Sequence, residues 1–198
     1  QQHLDYLEKE FQSGFSSIVV LKFEDSYFTD ENIAFLRAFK DKIESTPHVF
    51  KVNSPLDATV IISRDDMLSI QTYQEALDDG TIDSLDMYKD LFVGSPYFGK
   101  LLSTDYRYVG ISISIEKKND GGDLFRRVSA TEAIQSYVAS LPDNVEGFVS
   151  GDAEIYYQMD LFTQKNLMIL LPLAFLLLIL VSKIFLKRFR SVAIILFP

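Results

Sequence analysis

The side chains able to do chemistry near neutral pH are few. His3 and His48 are the two histidines, and the chain has no cysteine, which removes disulfides, thiolate nucleophiles and zinc–thiolate sites together. Adjacent carboxylates recur at Glu24-Asp25, Asp65-Asp66 and Asp78-Asp79. Each pair falls in a turn or at a helix start, where solvated capping explains it better than an acid/base dyad. His48 follows Pro47 between a helix and a strand, a position suited to an exposed turn rather than to catalysis. Asp120-Gly121-Gly122-Asp123 lacks the ligand repeat of a calcium hand and reads as a flexible loop. No G-x-S-x-G elbow, H-E-x-x-H helix or phosphate-binding loop is present. The expectation is a protein that is not an enzyme and needs no cofactor or metal.

The 198 residues carry 19 Lys+Arg and 28 Asp+Glu, a net charge of −9, but the charges are divided along the chain. Every acidic residue lies at or before Asp160, whereas residues 165–198 carry only basic ones. The acidic segment would repel phosphate and the basic tail is embedded in apolar sequence, so nucleic acid is not expected as a partner. Gln1 opens the chain without an initiator Met or a signal stretch, and the last eight residues start an apolar run. A piece of a longer chain is expected.

From Leu167 to Ser182 no residue is charged, and extension to Leu186 adds only Lys183. At about 1.5 Å per residue such a helix reaches roughly 30 Å, the thickness of the hydrocarbon layer. Apolar all round rather than striped, it predicts a transmembrane helix over 167–186 in the lipid bilayer. Pro172 removes one backbone donor, which membrane helices tolerate. Lys187, Arg188 and Arg190 form a positive-inside cluster that puts the following turn, 187–190, in the cytoplasm. Residues 1–166 then lie in the periplasm or outside the cell, and 191–198 begin the next span.

The acidic part must supply a folded domain over 17–151, preceded by a linker, 1–16, from a missing first span. Residues 17–23 (SIVVLKF) read as a strand, and Thr29 or Asp30 can cap a helix with Ile33, Leu36, Phe39 and Ile43 at helical spacing. Strands follow at 49–53 and 59–63; 108–116 alternates with period two, 130–141 reads as a helix and 145–150 as a strand. This order gives an α+β fold of two β-α-β halves, a ferredoxin-like split β-α-β sandwich with both helices on one sheet face. The insertion at about 64–107 is expected to be helical, over 67–76 and again near 84–92. Its aromatics are packing by ordinary odds, but Tyr88, Phe92, Tyr97 and Phe98 are also candidates to face a hydrophobic substrate. From Asp152, Ile155, Met159 and Phe162 recur at helical spacing with no breaker, so a connector, 152–166, should run unbroken into the span and carry motion between domain and membrane.

Several short motifs occur in a telling order: the β-α-β stretch 17–53, Leu101-Leu102-Ser103-Thr104-Asp105 ahead of the strand at Tyr108, Val149-Ser150-Gly151-Asp152 before the long helix, and Phe189-Arg190-Ser191 followed by Pro198. In that order the chain resembles the resistance-nodulation-division (RND) superfamily, closest to predicted lipid and hydrophobe exporters such as the mycobacterial large membrane proteins (MMPL-like), hopanoid exporters and Patched-like proteins. The resemblance implies a multi-pass permease of the bacterial inner membrane, driven by the proton motive force, of which this chain holds the first outer porter domain and the first helix of a sterol-sensing-type domain. Its partners would be the remaining transmembrane helices, a second porter domain of the same permease and a hydrophobic or lipid-like substrate, with a homo-oligomer allowed. The proton-relay carboxylates of such proteins belong to spans this chain does not contain. Two rival readings share the same residues: a protein-export auxiliary subunit of that superfamily, and a membrane-anchored binding or scaffold module.

Overall fold

The computed structural model describes residues 14–64, 67–118 and 120–186. Residues 1–13 of the expected linker, Asp65-Asp66, the basic cluster Lys187, Arg188 and Arg190, and the 191–198 run lie outside the described residues, while Phe15 and Ser16, expected in that linker, already belong to the first strand.

Strand β1, Phe15–Phe23, is β-branched and apolar, and its alternate residues Ser17, Val19, Leu21 and Phe23 are buried. Chain reversal after Glu24 leads to α1, Asp30–Glu44, whose first turn is closed by Thr29: its hydroxyl accepts from the Asn32 N–H at 3.2 Å. Ile33, Leu36, Phe39 and Ile43 form the buried stripe of this helix. Pro47 cannot continue it, and His48, at a positive φ of 70°, turns the chain into β2, Val49–Asn53, while its carbonyl accepts from the Glu116 N–H. Strand β5, Tyr108–Ile115, buries Val109, Ile111, Ile113 and Ile115 completely, and α4, Asp123–Ala139, leads to β6, Val145–Ser150.

These strands make one antiparallel sheet in the order β2-β5-β1-β6. Each β-α-β unit therefore leaves a gap one strand wide, and a strand of the other unit fills it. The two halves cannot separate without breaking the sheet, so one core serves both. Val19 faces Ile111 and Val149 in register, and Leu21 faces Val109. Full burial of an aliphatic side chain of this size contributes about 1.5–3 kcal/mol. The α+β class and the antiparallel sheet agree with the period-two and period-3.6 patterns of the sequence.

Helix α4 begins seven residues earlier than the expected 130, because the Asp120–Asp123 segment is organised. Arg126 is salt-bridged to Asp120 and, at 2.8 Å, to Asp123. The Arg126 guanidinium and the Gly122 N–H hold the Asp120 carboxyl down at about 2. Because that value is depressed, the clasp's stabilisation is present above the ordinary carboxylate range and is lost as pH falls through about 2.

The inserted region departs from the expectation of helix over 67–76. Strand β3, Thr59–Arg64, pairs antiparallel with β4, Met67–Thr72, in a hairpin that places Ile61 opposite Ile70 and Ser63 opposite Leu68. Helix starts only at Tyr73, as α2, Tyr73–Asp78, where Thr72 and Glu75 form a capping box. That Thr-x-x-Glu pattern fixes an N-terminus at residue 72, and the alternating Leu68 and Ile70 before it satisfy their backbone by cross-strand pairing instead. Helix α3, Leu85–Val93, falls where expected, with Ser84 as its N-cap. Insertion and sheet are joined by Lys40 of α1, nearly buried, which salt-bridges Asp57 and reaches Gln74 Oε1 at 3.2 Å.

The last helix, α5, Asp152–Leu186, is 35 residues long. Its first turn belongs to the unit ending at Ile155; the rest belongs to a second unit that begins at Tyr156. Asp152 Oδ1 accepts from the Ser16 N–H at 2.6 Å, the Ser16 hydroxyl at 2.7 Å and its neighbour the Ala153 N–H at 2.9 Å. Gly151 sits at φ 113°, and a Cβ there would meet the Ser16 carbonyl oxygen at 2.7 Å, so this position requires glycine.

Ile113 is fully buried at the centre of β5. Ile113→Asp places a carboxylate among aliphatic side chains and should cost on the order of 4 kcal/mol, a large share of a domain's stability. Urea or thermal melts should lose their cooperative transition under native conditions, and an unchanged midpoint would contradict the placement of this strand face.

Candidate functional site

Two surfaces are organised in a way that elementary folding does not require: the apolar length of α5 and a groove beside the β3–β4 hairpin.

Along α5, Leu167 to Val181 present large apolar side chains to the outside, with Leu167 55%, Leu171 54% and Leu176 58% exposed. A core helix would bury such side chains; this one is long and apolar enough to cross a membrane, and its apolar window is not buried by protein. Pro172 lies inside the helix and Leu186 is its last residue.

The groove forms where α3 ends against the hairpin. Gly94 caps α3, and the Ser95 hydroxyl donates to the Phe92 carbonyl at 2.7 Å while accepting from the Tyr97 N–H at 3.3 Å. This turn stands Pro96 and Tyr97 opposite Thr59, Val60 and Ile61 of β3, enclosing about 530 Å³ with Tyr73, Asp90 and Leu91. The volume lies within the range of small-molecule sites. Burial pushes the Tyr73 phenol up from its ordinary value, so it is neutral at physiological pH.

The four aromatics singled out from the sequence separate. Tyr97 lines the groove, and Phe98 is partly buried, packing with its ring 5.8 Å from that of Tyr106. Tyr88 and Phe92 are fully buried and present no face to a substrate. The physical reason is the inward stripe of α3: both lie on its core side, in a cluster where Tyr73 stands 5.1 Å from each ring and Phe28 stands 5.2 Å from Tyr88. The Tyr27 and Tyr88 hydroxyls bond each other at 2.9 Å, and desolvation pushes both phenols far up. The groove residues Val60, Ile61, Tyr73 and Asp90 were not singled out, because a hairpin was needed to bring β3 to the end of α3. Among the described residues no group of three or more His, Asp or Glu side chains is placed to hold a metal ion.

Tyr88→Phe leaves the buried Tyr27 hydroxyl without its partner and should cost about 2 kcal/mol, while Tyr27→Phe/Tyr88→Phe, which removes both polar atoms, should cost less than the sum of the single changes. A double-mutant cycle in urea measures this, and additive costs would contradict the coupling.

No protein-family model matches this chain, and no curated protein matches it.

Proposed function

We propose that this chain is part of a proton-driven exporter of lipids or other hydrophobic molecules, supplying its first periplasmic porter domain and the membrane span that follows. The observation that carries this reading is α5: one helix runs without interruption from the Gly151–Asp152 junction at the end of the sheet through the apolar stretch to Leu186. A binding module that is merely tethered needs no such continuity; a porter whose outer domain works with membrane helices does.

Other features support the same reading. The sheet order β2-β5-β1-β6, with two interlocked β-α-β units, supports reading the domain as a ferredoxin-like split β-α-β sandwich. The division of charge, acidic through Asp160 and basic beyond, supports an orientation with the acidic domain outside the inner membrane. The protein acts without enzymatic chemistry or a cofactor of its own and is powered by the proton motive force. Its partners are the bilayer, the other helices and second porter domain of the permease, a hydrophobic substrate and, where assembly demands it, further copies; nucleic acid is not among them.

Coupling needs an ionisable group within the bilayer whose protonation changes helix packing. From Leu167 to Val181 the side chains are apolar, and Lys183 sits close enough to the helix end for its amine to reach water. The relay groups therefore belong to other spans of the permease. In cells producing the whole protein, efflux of a fluorescent lipid analogue should collapse on addition of a protonophore, and Lys183→Gln should leave that efflux largely intact at normal membrane abundance. Efflux indifferent to the protonophore would overturn proton-driven export, and loss of efflux with Lys183→Gln would place coupling in this segment.

A further inference from the structure

We propose that the groove between β3 and the turn at Tyr97 binds a bulky organic cation, an ammonium or similar onium group carrying apolar substituents, with Asp90 as its counter-ion and Tyr97 as an aromatic wall. The inference rests on the exporter reading for its physiological use, since it narrows hydrophobic cargo to positively charged hydrophobic cargo, but the binding site itself stands on geometry.

Asp90 is the single charged residue lining the groove, and no salt bridge to it is formed among the described residues. Asp90 is solvent-exposed, and the same lining holds Val60, Ile61, Leu91, Pro96 and Tyr97 beside the hydroxyl-bearing Thr59 and Ser95. A carboxylate in that setting draws positive charge, while the apolar walls reject a small, strongly hydrated ion, which would forfeit water ligands without gaining others. An organic cation is weakly hydrated, packs its carbon atoms against aliphatic walls and gains from an aromatic face. The acidic character of residues 1–164 adds a long-range field of the same sign.

Comparison with the other concave surfaces sharpens the assignment. The hollow of about 430 Å³ along α1 contains Asp30, Asp41 and Asp78, but Arg37 lies inside it and bridges Asp78 at 2.8 Å, so it already holds its own cation. The hollow beside Glu146 is likewise served by Lys22, at 3.0 Å, and is lined by Arg107. The hollow lined by Glu24, Asp25 and Glu31 also has no cation in its lining, but it measures about 150 Å³ and has no aliphatic or aromatic wall. At the Tyr97 groove a carboxylate, apolar and aromatic walls and a cation-free lining occur together.

The chain's lack of cysteine gives a direct test. Ile61 is 63% exposed and lines the groove, so Ile61→Cys provides a unique thiol at the site with little cost to the fold. With the full chain in zwitterionic lipid nanodiscs, alkylation of that thiol by neutral iodoacetamide should be slowed several-fold by phenyltrimethylammonium and unaffected by benzenesulfonate. In an Ile61→Cys/Asp90→Asn variant the protection should vanish. Ile70→Cys, on the same exposed hairpin face but outside the groove lining, should react at one rate throughout. Equal protection by cation and anion, protection that survives Asp90→Asn, or no protection at all would overturn the site. No gradient or transport enters this assay, so its failure leaves the exporter reading standing, and failure of proton-dependent efflux leaves a confirmed cation site standing.

Discussion

One carboxylate fixes where the sheet ends and the long helix begins. Asp152 Oδ1 takes both the backbone N–H and the hydroxyl of Ser16, at the start of the central strand, and also the Ala153 N–H in its own first helical turn. An acidic group at a helix N-terminus is favoured by the helix dipole, and here the same atom ties that terminus to β1. Gly151 makes the approach possible, since its positive φ and bare Cα let the chain pass against the Ser16 carbonyl. With this junction the first turn of α5 starts in a fixed place on the sheet. Gln135 Nε2, 2.8 Å from both carboxylate oxygens of Glu154, adds a second tie from α4 to the same helical turn.

The sheet was legible in the sequence because its signals are local and mutually consistent. Ile111, Ile113 and Ile115 alternate with glycine and serine, Ile33, Leu36, Phe39 and Ile43 recur at helical spacing, and Thr29 caps where a cap is needed. The inserted segment was read less well. Met67 to Ala76 holds apolar residues compatible with either period, and the deciding contacts, Ile61 with Ile70 and Ser63 with Leu68, exist only once the hairpin closes. The Asp120–Asp123 segment lacks the ligand repeat of a calcium hand and so reads as a flexible loop; the clasp of Arg126 by two carboxylates depends on a residue in the following helix. Of the residues lining the groove, Tyr97 alone is among the aromatics that the sequence singles out. Tyr88 and Phe92 have the right chemistry on the inward face of α3, and Asp90 lies on the same helix beside the groove, a distinction that needed the hairpin as a reference.

The groove and the proposed span follow from one economy of burial. The insertion packs Tyr73, Tyr88 and Phe92 with Tyr27, from the loop after β1, into a cluster continuous with the core, which leaves β3 and the Tyr97 turn as walls over a buried base. Ile61, Leu68 and Ile70 stay outside, at 63, 73 and 70% exposure, so the hairpin keeps an apolar outer face. Along α5 the apolar side chains are not covered by protein among the described residues, and the helix is long and apolar enough to cross a membrane. Acidic groups crowd the domain and vanish from the helix after Asp160, which divides one continuous element into a charged and an apolar part.

On the proposed reading, α5 leaves the folded domain and enters the bilayer as a single helix. A nitroxide scan of single cysteines from residue 152 to residue 183, in the full chain reconstituted into liposomes, tests it most directly through collision with lipid-soluble oxygen and with a water-soluble nickel chelate. The account predicts nickel access near Asp160, a crossover near Leu167, and oxygen-dominated collision from there to Ser182, with helical order unbroken across Pro172. Nickel access persisting through Leu170 to Leu180 would show a helix in water and contradict the account.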